Sequence, residues 1–252
     1  MGSITIEVQD HIAIVTLDRP PINSLVKATY AEIQAVFNKL GDMEGVRVAI
    51  LTATGRFFCP GNDVSEFDGL TTEPEVRAYS QAVSDGISAV YSCKIPVVAA
   101  VQGHAMGAGM ALAACADVIV ASDKAQFGIP EIKVGIIGAS GFLALLVPEK
   151  VVRYLSLTGK SISSQEVEHY GGVHKVVATE EVFDAAMKVA QDLLKQGPTA
   201  LRYFKEAMNT NQNAQLVEKY ATEGTYTRQY VGTEEFKESV SAFLESREPD
   251  YG

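Results

Sequence analysis

Cysteine is scarce in this chain. Cys59, Cys93 and Cys115 are the three in 252 residues, far apart, two of them in apolar surroundings. They make neither a disulfide framework nor a zinc pattern, so a reducing compartment is expected. Basic runs are missing as well. Asp and Glu number 31 against 21 Lys and Arg, a net charge of −10, whereas phosphate-driven nucleic-acid binding needs the opposite sign. The opening MGSITIEVQD has no basic or apolar leader, and the closing DYG is no sorting signal, which points to a cytoplasmic protein. Long apolar runs are limited to one, Val97 to Ala121. Gln102, His104, Asp117 and three glycines inside it favour a buried strand, turn, helix and strand over a bilayer crossing. Nucleotide phosphate loops are absent too. Gly107-Ala108-Gly109 lacks the third glycine of a dinucleotide fingerprint, and no G-x-x-x-x-G-K-[ST] occurs.

What is present suits one large domain. Apolar residues make up 47% and charged residues 21%, ordinary for a globular protein with a sizeable core. Ile4 to Val8 and Ile12 to Leu17 read as a hairpin around Asp10-His11, stopped by Pro20-Pro21. A helix from about Val26 to Leu40 carries Tyr30, Ile33, Val36, Phe37 and Leu40 at helical spacing. Strands at 46–52 and 97–101 alternate with a helix at 73–91, the pattern of a layered α/β protein with parallel pairing. Lys124 to Glu131 reads as irregular, and short helices follow at 142–146, 148–158 and 164–170, the last with a Ser163/Glu166 capping box. A strand at 173–177 and a helix at 180–195 lead to Gly197-Pro198. Beyond it 199–245 reads as helical, so the expected boundary separates an α/β core, 1–197, from a helical piece, 198–252.

Two glycine-containing turns end apolar strands, Phe58 to Asp63 and Gly103 to Gly109. Each can aim one backbone N–H at a shared carbonyl oxygen, the second helped by the helix that follows. Tight helix–strand packing accounts for the glycines equally well. The wording of the turns is more specific. Phe58-Cys59-Pro60-Gly61-Asn62-Asp63 resembles the F-x-A-G-x-D turn of the crotonase (enoyl-CoA hydratase/isomerase) superfamily. Gln102 to Gly109 resembles its N-G-x-A-x-G-G-G turn. Leu17-Asp18-Arg19-Pro20, Ala116-Asp117, Ala125-Gln126-Phe127, Pro130 to Gly135 and Leu157-Thr158-Gly159 fit in order.

The resemblance implies a spiral of ββα units with a helical C-terminal region, assembled as trimers or dimers of trimers. It also implies acyl-CoA thioester substrates, with no cofactor beyond their CoA moiety and no metal. By position, Asn62 and Ala108 supply the N–H groups that hold a thioester oxygen as it becomes an enolate. Ile22, Asn23, Ser24, Gly61, Asp63 and Gly107 are the expected CoA-binding set. Ala108 replaces a glycine, which is tolerable only if its φ is negative.

Carboxylates decide the reaction that the resemblance implies. The hydratases use two glutamates on one water. The first would stand at Ala111, and the second is Glu131. A single base suffices to move a double bond from the 3- to the 2-position, and Pro20 to Leu25 looks like the P-P-V-N-S-L loop of single-glutamate Δ3,Δ2-enoyl-CoA isomerases. Isomerase is therefore the favoured expectation, with hydratase, hydrolase, decarboxylase or a non-catalytic acyl-CoA binder as alternatives. Phe67, the 76–90 helix, Ile136, Ile137 and Phe142 are expected to wall the acyl pocket. His104, His169 and His174 read as structural or surface residues, Ser140 lacks a His–Asp relay, and Glu66 and Asp68 suit a helix start or the surface.

Overall fold

The computed structural model describes residues 3–69, 72–212, 225, 228, 229 and 233–247. The hairpin around Asp10-His11 forms as expected, β1 (Ile4–Gln9) pairing antiparallel with β2 (Ile12–Leu17). Then come α1 (Lys27–Leu40), β3 (Val48–Ala53), α2 (Glu73–Tyr91), β4 (Val97–Val101), β5 (Ala105–Met106) and α3 (Ala108–Ala114). The chain continues through β6 (Val118–Ser122), β7 (Gln126–Gly128), α4 (Ser140–Leu143), α5 (Glu149–Thr158), β8 (Ser161–Ser163) and α6 (Ser164–His169). It closes with β9 (Lys175–Val177), α7 (Val182–Leu194), α8 (Pro198–Gln212) and α9 (Glu234–Leu244).

Six strands form the main sheet in the order β1-β2-β3-β4-β6-β9, parallel in every pair after the hairpin. Alternation makes it two-faced. Ala13, Val15, Leu17, Ala49, Leu51, Val97, Ala99 and Val101 face a core shared with α1, α2 and α3. Ile12, Ile14, Val48, Ile50, Val98 and Ala100 face the other way, onto Val182, Ala186 and Ala190 of α7. Those three recur every four residues, one stripe of a helix laid on a period-two surface. Apolar on both faces, such strands belong inside a parallel sheet.

Past the main sheet each chain segment turns into a second, smaller one. β5, β7 and β8 pair there, extended by a Cys59–Ala105 bridge. Each strand pair followed by a helix is the repeating unit of the expected spiral.

Several expectations need correction. Lys124 to Glu131 is not irregular, since it holds β7, a strand of three residues too short to show a period. The helix expected at 142–146 sits earlier, as α4, because Ala139 takes a left-handed turn (φ 67°) that starts it at Ser140. The Ser163/Glu166 capping box is present, but its serine also ends β8. The 199–245 stretch is no single helix. Thr233 is extended and its side chain accepts from Phe236 N (3.2 Å), so α9 has its own start; part of that stretch lies outside the described residues.

α8 begins at Pro198, where the boundary was expected, and is docked onto the core. Lys205, 3% exposed, donates from Nζ to Asp117 Oδ2 (2.7 Å) and to the Ile95 carbonyl (3.1 Å). Arg202 reaches the Gly41 carbonyl (2.7 Å) and Asn209 the Tyr91 carbonyl (2.9 Å). No helix among the described residues is long and apolar enough to cross a membrane.

All three cysteines are buried and unpaired. Burial pushes the Cys59 thiol up to about 12 and raises those of Cys93 and Cys115. Ellman's reagent at about pH 8 is expected to find no reactive thiol in the native protein and all of them after unfolding in guanidinium. Prompt titration of a native thiol would contradict this packing.

Candidate active site

The first turn is stitched to the segment before α1. Leu25 N–H donates to the Gly61 carbonyl (2.8 Å), and Asp63 N–H to the Leu25 carbonyl (2.8 Å). A trans peptide sets its C=O and N–H in opposite directions. With the Gly61 oxygen held by Leu25, the Asn62 N–H on the same peptide points away from Leu25. The side chains add to the seam. Arg19 Nη1 donates to the Ser24 carbonyl (2.9 Å), to Ser24 Oγ (2.8 Å) and to Asp63 Oδ2 (3.1 Å). Hydrogen bonds from Ser65 foremost, then Ser24 and Arg19, hold the Asp63 carboxyl below the usual carboxylate range. Glu66 accepts from Lys27 N (2.8 Å), so it does serve a helix start, that of α1.

The second turn follows the same logic. Gly107 N donates to the Gly128 carbonyl (2.8 Å), and the Gly107 carbonyl accepts from Ala111 N (3.0 Å) inside α3. The Ala108 N–H, opposite that carbonyl, leaves the helix end outward. Gly107 takes the positive φ, 53°, and Ala108 does not, so the condition under which alanine is tolerable at this position is met. α3 has seven residues, so its dipole adds little and the N–H itself is the useful group. The turns touch. A side-chain carbon on Gly61 would lie 3.3 Å from Ala108 N. Among the described residues neither Asn62 N nor Ala108 N finds a protein acceptor.

Glu131 arrives by register. β5 and β7 run parallel, Met106 opposite Gly128, so the chain leaving β7 passes over Gly107. There Pro130–Val134 forms a 3₁₀ turn, closed by Gly135 in the left-handed region (φ 72°). A methyl placed on Gly107 would fall 1.9 Å from Glu131 Oε1. The carboxylate therefore lies on the Gly107 Cα, one residue from the Ala108 N–H, and α9 packs against the turn that carries it. Ala111 is fully buried, and the other six residues of α3 are buried as well. One carboxylate and two adjoining backbone donors make up the constellation, suited to proton transfer next to a carbonyl that becomes an oxyanion.

The remaining candidates spread more widely. Asn23, 2% exposed with φ 64°, spends its amide on the Thr54 and Phe57 carbonyls (2.8 and 3.1 Å) and accepts from Arg19 N (2.9 Å). Asn23 and Asp63 thus shape the 19–25 loop, while Ile22 is exposed. Phe67 meets Tyr79 of α2 edge-on at 5.8 Å. His104 tilts against Phe57, and its Nδ1 is buried with no hydrogen-bond partner among the described residues. It lines a cavity of about 450 Å³ with Arg56, Gln102, Lys124 and Thr179, which none of Asn62, Ala108 and Glu131 enters. His169 and His174 are exposed. No cluster of three or more His, Cys, Asp or Glu suited to a metal occurs among the described residues.

Tyr30 escaped the sequence reading. Its hydroxyl donates to Asn62 Oδ1, yet at a helical core position a tyrosine reads as one more apolar ring. Only the partner's place in space exposes the role.

Comparison with known proteins bears on the family and the fold. A family model described as enoyl-CoA hydratase/isomerase matches residues 7–252. A (7aS)-7a-methyl-1,5-dioxo-2,3,5,6,7,7a-hexahydro-1H-indene-carboxyl-CoA hydrolase of Rhodococcus jostii (strain RHA1) is 34% identical over 90% of this chain and 88% of its own. Carnitinyl-CoA dehydratase of Proteus mirabilis (strain HI4320) is 30% identical over 99% and 98%. An enoyl-CoA hydratase structure from Mycobacterium avium subsp. paratuberculosis K-10 superposes with a TM-score of 0.87 at 25% identity, covering 100% of this chain and 99% of that one. Matched along nearly its whole length in sequence and in fold, the chain belongs to the crotonase (enoyl-CoA hydratase/isomerase) superfamily.

Proposed function

We propose that this crotonase-superfamily enzyme of CoA thioesters moves a double bond from the 3- to the 2-position of a fatty enoyl-CoA. Glu131 removes a proton from C2, and the electron pair passes into the thioester carbonyl, giving a dienolate whose oxygen sits between the N–H groups of Asn62 and Ala108. Protonated Glu131 returns the proton at C4, and the double bond forms between C2 and C3. The CoA thioester stays intact and Glu131 ends as it began, so no cofactor enters the balance. Charge on the oxygen is greatest in the intermediate, so the two donors favour it over the substrate.

One observation carries this reading: Glu131 lies on Gly107 beside the paired donors, while Ala111 stands where a hydratase would have its other glutamate. The CoA carrier is assigned to the rim formed by Ile22–Ser24, Gly61, Asp63 and Gly107, where Ile22 is exposed and Asn23, Gly61 and Gly107 are buried, with Asn23 and Asp63 acting through the shape of that rim. Self-association into trimers belongs to the proposal, supported by Tyr203, Phe204 and Met208 exposed on α8. A second reading is hydrolysis, favoured by the 34% identity to a CoA-linked hydrolase.

Purified protein offered a 3-enoyl-CoA and, separately, a 2-enoyl-CoA separates these. Conjugated-thioester absorbance is expected to rise with the first and to hold steady with the second. Consumption of the 2-enoyl-CoA without release of CoA identifies a hydratase, and release of free CoA identifies a hydrolase. Either result overturns the isomerase assignment.

A further inference from the structure

The Asn62 peptide has one loose joint. Gly61, at φ 99°, lets the chain swing at little torsional cost. Leu25 brackets Asn62 along the backbone, donating to the Gly61 oxygen and accepting from Asp63 N (2.8 Å each), and the peptide plane carrying the Asn62 N–H can still tilt about the line joining those two points. A third point, off that line, is the Asn62 side chain, whose Oδ1 accepts the Tyr30 hydroxyl. Tyr30 is a firm anchor. It is fully buried in the first turns of α1, and its ring lies on Gly86 of α2, close enough that a methyl there would meet the ring carbon Cδ1 at 2.9 Å. Of the side-chain contacts that stitch this turn to the 19–30 segment, that of Glu66 is exposed, and those of Arg19, Ser24 and Tyr30 are part-buried. Tyr30 differs in being itself fully buried, so its hydroxyl is offered from a place fixed by packing.

We propose that Tyr30 is a positioning residue: its hydroxyl, through the Asn62 carboxamide, sets the direction of the Asn62 N–H. Fully buried, it acts through Asn62 rather than on the substrate. The inference rests on the reading in which that N–H holds the thioester oxygen. Removing an oxyanion donor outright costs roughly 10²–10³-fold, and letting one swing costs a part of that.

Tyr30→Phe keeps the ring and deletes the hydroxyl. It is expected to lower kcat roughly tenfold with KM nearly unchanged, since alignment matters most when the oxygen is fully charged. Asn62→Ala keeps the N–H and deletes the carboxamide, so it should lose a similar factor. The double variant should lose no more than either single one, because both break the same link. Unchanged kcat in Tyr30→Phe, a loss confined to KM, or losses that multiply would each overturn the proposal. Hydrogen exchange in the wild type and Tyr30→Phe, read by mass spectrometry on peptides spanning 58–66, tests it separately from turnover. Faster exchange in that stretch alone supports the brace, and equal exchange overturns it even if no enoyl-CoA is turned over, an outcome that would count against the isomerase reading instead.

Discussion

Glu131→Gln is expected to cut kcat for 3-enoyl-CoA by about 10²–10⁴-fold, the usual worth of a general acid–base group, with little change in KM. Glutamine keeps the length and shape of the side chain, so the turn over Gly107 should stay intact. What it lacks is a basic oxygen able to take the C2 proton and give it back at C4. With Ala111 where a partner carboxylate would stand, that position offers no second acid to take over the step. The measurement is steady-state kinetics beside a thermal melt. A variant that keeps more than about a tenth of wild-type kcat while melting normally would remove Glu131 from the mechanism. A rise in KM together with a fall in melting temperature would mark it as structural.

The largest effect on stability is expected at Lys205. Its ammonium is buried, held by Asp117 and the Ile95 carbonyl, and Asp117 also accepts from Val97 N (2.7 Å). Lys205→Met deletes the charge and retains most of the apolar stem. It leaves Asp117 and the Ile95 carbonyl short of a partner beneath α8. Breaking a buried pair from one side costs about 3–5 kcal/mol. The Asp117 side chain is 22% exposed, so water recovers a share and about 2–3 kcal/mol is expected. For a chain of this size that lowers Tm by roughly 5–10 °C. Adding Asp117→Asn should recover part of the loss by removing the stranded charge. A single variant that melts within a degree or so of wild type would show that α8 is held by its other contacts.

The fold was readable where residues repeat a period. β2, β3, β4 and β6 are apolar runs between turn residues, and α1, α2 and α7 carry helical stripes, so the alternation of strand and helix could be written down from the chain. The short strands β5, β7 and β8 could not. Two or three residues define no period, and their pairing depends on where neighbouring segments leave the main sheet. The break before α9 was missed because a lone capping threonine inside a helix-compatible stretch is a weak signal. At the candidate site, Glu131, Asn62 and Ala108 could be named through the turn motifs, and the structure brings them together. Tyr30, Arg19 and Lys205 were missed as site or fold determinants for one reason. Each acts through a partner between 32 and 88 residues away in sequence, and spacing carries no trace of such a pair.

The stitching of the first turn also sets an order of assembly. Leu25, Tyr30, Asn62 and Asp63 all lie in the first quarter of the chain, so the proposed first donor and its brace are encoded together, and Tyr30 is fixed once Gly86 of α2 packs on its ring. Ala108 joins only after β5 has formed, and Glu131 only once β7 has found its register beside it. Until then the proposed base and second donor have no place beside the first turn. The proposed site comes together with the pairing of two strands of two and three residues. Substitutions that slow that pairing would lengthen the inactive interval during folding and leave the finished protein unchanged.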